Sequence, residues 1–254
     1  MRITFSLRSI FIVLALITLA GCATSPQERK AEAQMHRAAV LNAQLGIDYM
    51  NTGNLKLADE KLKRALDQDP DSVLVRNAYA LLMQRLGKND AAEENFRKAL
   101  DLKPDDGDVR NNFGVFLCEQ GKYGQAQKQF KSAWSNPLYN TPEFAYANAG
   151  ICALNEHNDT LAKQRFHQAL EKRPGFAPAL YQLAKLAASK GQYQKADAYL
   201  GRITGAARYT PDILALCLKV KRTVGDMNGA ADCARDLYRM FPNSPQARAL
   251  LQTQ

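Results

Sequence analysis

Residues 73–106 read VLVRNAYALLMQRLGKNDAAEENFRKALDLKPDD, and this 34-residue stretch decides the fold. Two runs of helix-forming residues flank Gly87, and Pro104 closes the second. A glycine there suits a helix C-terminus that needs positive φ, and a proline cannot continue a helix. The same unit recurs from 39, 107, 143, 177 and 211, with a period of 34 residues that lengthens to 36 only between the third and fourth units. The eighth position is small in Gly46, Ala80, Gly114, Gly150 and Ala184, which lets two helices approach, and the sixth unit departs with Leu218. The turn carries Gly53, Gly87, Gly121, Gly191 and Gly225, with His157 replacing glycine in the fourth unit. The twentieth position is Ala58, Ala92, Ala126, Ala162, Ala196 and Ala230 without exception. Four residues later stand Leu62, Phe96, Phe130, Phe166 and Leu200, and Ala234 breaks the series. Pro70, Pro104, Pro174 and Pro242 close four of the units.

This pattern resembles the tetratricopeptide repeat, a helix–turn–helix of 34 residues. The resemblance implies an all-α fold, a right-handed superhelix (α-solenoid) of six repeats at 39–72, 73–106, 107–142, 143–176, 177–210 and 211–244. Such hairpins bury their core only by stacking on neighbours, so the repeated small, alanine and phenylalanine positions read as core and turn. The third unit ends in Ser135-Asn136-Pro137-Leu138-Tyr139-Asn140-Thr141-Pro142, and the fifth runs through Gly205-Ala206-Ala207-Arg208 without its proline. Residues 245–254 continue the pattern briefly, with Ala247, Leu250 and Leu251 expected to cap the last apolar edge.

The chain opens with MRITFSLRSIFIVLALITLAGC, in which Arg2 and Arg8 precede an apolar run from Ile10 to Ala20. That run is too short to span a bilayer, which takes about 20 apolar residues, and reads as a cleavable signal at 1–21. Leu19-Ala20-Gly21-Cys22 resembles the lipobox of bacterial lipoproteins, in which the cysteine is acylated and the bond before it is cut. Lipidation at Cys22 is therefore expected, and several acyl chains make a durable membrane anchor. Ala23 follows where many lipoproteins retained in the inner membrane carry Asp, so by that resemblance the protein is placed in the outer membrane, facing the periplasm. Residues 22–38 are polar and read as the lipidated N-terminus and a tether that turns helical towards its end.

Of 254 residues, 46% are hydrophobic and 23% charged, which excludes a disordered or collagen-like chain. There is no phosphate loop, no His-Glu-x-x-His and no Gly-x-Ser-x-Gly. His36, His157 and His167 are scattered, and none has zinc-ligand spacing with cysteine. Asp69, Asp71, Asp105 and Asp106 cluster at repeat junctions, where turns and helix N-caps use them. The reading is a non-enzyme with no catalytic residue, metal, cofactor or small-molecule substrate. Lys and Arg exceed Asp and Glu by 34 to 25. A nucleic-acid partner is rejected nonetheless, because the export signal removes it and aromatics do not interleave with the basic residues. The basic C-terminal half faces anionic headgroups, an acidic protein segment, or only solvent.

In this fold the first helices of successive units line a groove. Its ninth positions are Ile47, Leu81, Val115 and Ile151, then Lys185 and Lys219. Val40, Met50, Leu74, Phe144 and Leu154 extend the apolar patch, and Asn77 and Asn111 stand where they can hydrogen-bond a peptide backbone. A contiguous apolar patch on a solvated face marks a binding site for a partner, unless another part of the chain folds into it.

The cysteines of the body also follow the repeat. Cys118 and Cys152 lie on first helices of adjacent units, and Cys217 and Cys233 on the two helices of the sixth. Packed helices run about 8–10 Å apart, which lets facing cysteines come within disulfide reach. Two bridges, or four buried thiols acting as small apolar residues, are the alternatives.

The lipobox, the six repeats, Asn111-Asn112-Phe113-Gly114-Val115-Phe116-Leu117-Cys118, and Pro137-Leu138-Tyr139 followed by Tyr146-Ala147-Asn148-Ala149-Gly150-Ile151-Cys152 together resemble one group. It is the outer-membrane lipoproteins of type IV pilus biogenesis and stability, the PilW/PilF-type pilotins. The resemblance implies that the groove binds the pilus secretin or another pilus-assembly protein, promoting secretin localisation and multimerisation or pilus stability. A general cell-envelope scaffold recruiting peptidoglycan enzymes or outer-membrane assembly factors is the alternative. Replacing Cys22 with serine is expected to abolish acylation and signal cleavage and to release the protein from the outer membrane. Radiolabelled palmitate incorporated equally by variant and parent would overrule the lipobox.

Overall fold

Ser25 opens the first helix by supplying what a free helix start lacks. Its hydroxyl accepts the Glu28 backbone N–H at 3.1 Å, and the Glu28 carboxylate accepts the Ser25 N–H at 2.6 Å. This reciprocal cap, with Pro26 at the first helical position, nucleates the helix at that point. The Ser25 hydrogen bonds hold the Glu28 carboxyl below its ordinary value. The computed structural model describes residues 25–251. The signal at 1–21, Cys22 and the last three residues of the cap therefore lie outside the described residues. The stretch expected to be a tether turning helical at its end is helical from Pro26 onward, its polar side chains exposed.

Six helix–turn–helix units follow in chain order. They are α1 (Pro26–Asn51) with α2 (Leu55–Gln68), α3 (Val73–Arg85) with α4 (Asn89–Leu102), and α5 (Gly107–Glu119) with α6 (Tyr123–Ser135). Then come α7 (Pro142–Asn155) with α8 (Asp159–Lys172), α9 (Ala177–Ser189) with α10 (Tyr193–Gly201), and α11 (Pro211–Val224) with α12 (Met227–Met240). A short 3-10 turn at Gly205–Arg208 precedes α11, and α13 (Pro245–Leu251) ends the description. No strand occurs among the described residues. The fold is an all-helical solenoid of the tetratricopeptide type. Two compact units divide it, one reaching Leu82 and the other beginning at Met83 within α3.

Steric fit at the helix crossings explains the repeated residues. In the first unit a Cβ added to Gly46 would lie 2.5 Å from Cγ of the fully buried Leu62. In the second, a Cβ on Gly114 or on Gly150 would lie 2.6 Å from the ring of Phe130 or Phe166 respectively. All six alanines of the twentieth position are buried. Protein interiors are close-packed, so a large side chain on one helix requires a small one opposite. The sixth repeat reverses the assignment: Leu218 is buried, and the half-buried Ala234 packs against the same core. Its last helices close over Leu214, Leu237 and a fully buried Ala247 on α13.

Asp106, Asn158 and Thr210 cap α5, α8 and α11 by accepting backbone N–H groups at 3.0–3.2 Å. Asp69, another junction acid, pairs with His36 across the α1–α2 hairpin. In the third connection, the Asn136 amide donates to the Asp105 carbonyl at 2.6 Å while its oxygen accepts the Leu138 N–H at 2.9 Å. Tyr139 is thereby folded over Gly107, where a Cβ would meet the ring at 2.5 Å. The fourth turn is the one without glycine. His157 adopts φ 60°, a left-handed conformation costing a side-chain-bearing residue about 1–2 kcal/mol.

Two substitutions test this account by urea denaturation. Gly150→Val forces Phe166 out of place and is expected to cost about 1–3 kcal/mol, as overpacking does. His157→Gly removes the left-handed strain at some cost in chain entropy and is expected to gain about 0.5–1 kcal/mol. A Gly150→Val protein as stable as its parent would contradict the proposed steric fit.

Candidate functional site

Residues seven apart on a helix return to nearly the same face after two turns. α5 and α7 use this spacing to join side by side. The Asn148 amide donates to the Asn111 oxygen at 3.0 Å, and the Asn155 amide, seven residues on, reaches Cys118 Sγ at 3.8 Å. Between them Cys118 and Cys152 stand at disulfide distance, with Cα atoms 5.7 Å apart. From the neighbouring helix, the Gln127 amide donates to the Ala149 carbonyl at 2.9 Å.

Beside this seam Val115, Ile151 and Leu154 are half-buried, and Phe144 is exposed, its ring edge-on to Phe176 at 4.9 Å. The first compact unit carries Val40, Ile47, Asn77 and Leu81 half-buried and Leu74 exposed. The candidate residues thus fall into two sets, one in each unit. Lys185 and Lys219, at the ninth positions of the last two repeats, are exposed. Two expectations need correction. Asn111 is buried and its oxygen is committed to Asn148, so it ties repeats together and is not open to a peptide. Met50 is likewise buried and belongs to the core.

Asn148 and Asn155 are not among the residues expected to act, although their spacing of seven, matching that of Asn111 and Cys118, is the signal of this contact. A stack next to the seam is likewise new. Trp134 lies flat on Tyr146 with centroids 4.3 Å apart, and the Arg165 guanidinium sits 4.9 Å over the Trp134 ring. Cations are attracted to such ring faces, so the stack stiffens the junction of α6, α7 and α8.

The later repeats are electropositive. Burial, and then the charges of Lys163, Lys195 and Arg202, hold His167 below its ordinary pKa. Lys221, by contrast, is bonded between Asp226 and Asp197, which raise its pKa. In the same repeat Cys217 and Cys233 also stand at disulfide distance, with Cα atoms 6.1 Å apart. Among the described residues no group of three or more His, Cys, Asp or Glu side chains converges on a metal-sized site. On α5 and α7 the geometry is one of packed helices that leave apolar side chains half-open.

Tetratricopeptide-repeat profiles match residues 43–107, 83–136 and 160–220. A solved structure of PilW, described as a widely conserved type IV pilus biogenesis factor, superposes with a TM-score of 0.67. Its sequence is 30% identical, over 84% of this chain and 98% of that one. The chain belongs to the PilW family of tetratricopeptide-repeat proteins. The type IV pilus assembly protein PilF of Pseudomonas aeruginosa PAO1 is 27% identical over 241 residues, 94% of this chain and 96% of that protein. A solved structure of P. aeruginosa PilF gives a TM-score of 0.67 at 26% identity, over 87% of this chain and all of that one. A Parabacteroides merdae repeat protein, 18% identical with a TM-score of 0.62, shares the fold alone. This PilW-family chain thus matches PilW and PilF along nearly their whole length.

Proposed function

We propose that this protein is a non-enzymatic outer-membrane lipoprotein, anchored through acylated Cys22, that binds a type IV pilus component. The secretin is the first candidate, and its outer-membrane localisation and multimerisation, or the stability of pili, is the outcome served. The observation that carries this reading is the match with PilW, at 30% identity over 84% of this chain and 98% of that one. The apolar row on the first helices supplies the chemistry, since half-exposed Val115, Ile151 and Leu154 beside exposed Phe144 gain by being covered.

Leu81→Lys and Ile151→Lys test it. Lysine already occupies the corresponding exposed places at 185 and 219, where its aliphatic stem can lie along the helix with the ammonium in water. Each change is expected to cost about 1 kcal/mol of stability. An unpaired charge against an apolar ligand costs several kcal/mol, a loss of about a hundredfold or more in affinity. Secretin multimers and twitching should disappear in complemented deletion strains, with circular dichroism unchanged and Lys185→Glu active. Folded double mutants with full multimerisation and motility would move the binding surface elsewhere.

The periplasmic reading also implies oxidised cysteines. On it, 118–152 and 217–233 form bridges enclosing 34 and 16 residues. Each is expected to contribute about 3–4 kcal/mol by restricting the unfolded chain. Mass spectrometry of non-reduced, alkylated protein is expected to show all four thiols protected, and four alkylated thiols would refute both bridges.

A further inference from the structure

In repeats three, five and six the third and seventh positions of the first helix are buried, as Val109 and Phe113, Ala179 and Leu183, and Ile213 and Cys217. The preceding second helix covers them: Phe96 of α4 stacks on Phe113 with centroids 5.4 Å apart. α1 is the first described helix, and its equivalents, Leu41 and Leu45, are 66% and 44% exposed. The opposite end of the repeats is closed by α13, with Ala247 fully buried. Terminal repeats of solenoids ordinarily carry a polar outer face, so two open leucines on this one need an occupant.

The charges around them say which. At helical spacing the same outward stripe of α1 runs Lys30, Arg37, Leu41, Leu45 and Asp48, all exposed. Basic residues lie towards one end and an acid at the other. The exposed Asp48 side chain accepts the Gln44 amide at a long 3.3 Å. We infer that this stripe is the interface of a homodimer, in which a second copy of the chain lies antiparallel across α1. A two-fold axis level with residue 43 sets Leu41 against Leu45 of the other copy, and brings Arg37 within reach of its Asp48. Each pair then forms twice. A parallel arrangement would stack arginine on arginine and aspartate on aspartate. The antiparallel contact is self-complementary and closes at two subunits, so it builds no filament. It uses a different surface from the pilus-partner face and does not depend on that reading.

Sedimentation equilibrium of the full-length protein in detergent tests the inference. The parent is expected to dimerise and Leu41→Asp to sediment as a monomer with unchanged circular dichroism, since Leu41 makes little contact within its own chain. Arg37→Asp or Asp48→Arg alone is expected to weaken the dimer about tenfold or more, as loss of a charge pair and creation of like-charge contacts does. The double variant Arg37→Asp/Asp48→Arg is expected to recover it. Residues 37 and 48 are about 16 Å apart along one helix, too far to pair within a chain, so recovery reports contact between copies. A parent that stays monomeric to about 100 μM, well above the micromolar range of an ordinary weak association, would overturn the inference. So would a double variant no better than the singles. A monomeric parent, with a chain lacking the acylated Cys22 that still floats with phosphatidylethanolamine–phosphatidylglycerol vesicles and loses flotation on Leu41→Asp, would overturn it and assign the face to lipid.

Discussion

Where the two helices of a hairpin cross, there is room for one large side chain and no more. Gly46 beneath Leu62, Gly114 beneath Phe130 and Gly150 beneath Phe166 all meet this limit, with less space than a methyl group would need. The crossing sets how closely the helices lie, and the approach sets which residues face the next hairpin. The buried alanines four residues before the large side chain keep the second helix close enough for that contact. Everything built on the first helices inherits its position from this fit.

The seam between α5 and α7 shows what is gained. Once the hairpins are held at a fixed distance, Asn148 can reach Asn111 and Asn155 can reach Cys118. A buried amide left without a partner costs about 1–3 kcal/mol, so these bonds penalise any sliding of one helix along the other. Val115, Ile151 and Leu154 then have set places beside the seam, half in contact with the core and half free. A surface that is both apolar and held in register can select a ligand by shape, which loose apolar side chains cannot.

The all-helical repeat fold and its core positions were legible because each follows from sterics repeated in register, and repetition separates signal from chance. The helical start at Ser25 was equally local: Ser25 and Glu28 form a capping pair readable in four residues, but the polar composition around them suggested a tether. Asn111 could not be assigned from one position, since its partner lies 37 residues away and a lone asparagine reads equally well as a ligand contact. Met50 is buried although its position falls on the border between core and groove, where small rotations of the helix decide burial. The spacing of the cysteines, one repeat or one hairpin apart, was sufficient to bring each pair close. The strain at His157 was visible only as a missing glycine, and its φ of 60° gives that substitution its physical meaning.

The reversed fit of the sixth repeat, with the bulky residue at Leu218 and the small one at Ala234, bears on how such an array can be rebuilt by gene rearrangement. Exchange of whole hairpins keeps each large residue with its own small one. A crossover falling in the turn would join the first helix of repeat four to the second helix of repeat six and leave Gly150 facing Ala234, a void. The reciprocal product would set Leu218 against Phe166, a collision. Unequal exchange between the last repeat and the others is therefore penalised unless it falls at a hairpin boundary. The inversion thus makes the sixth hairpin the one whose two helices must be inherited together.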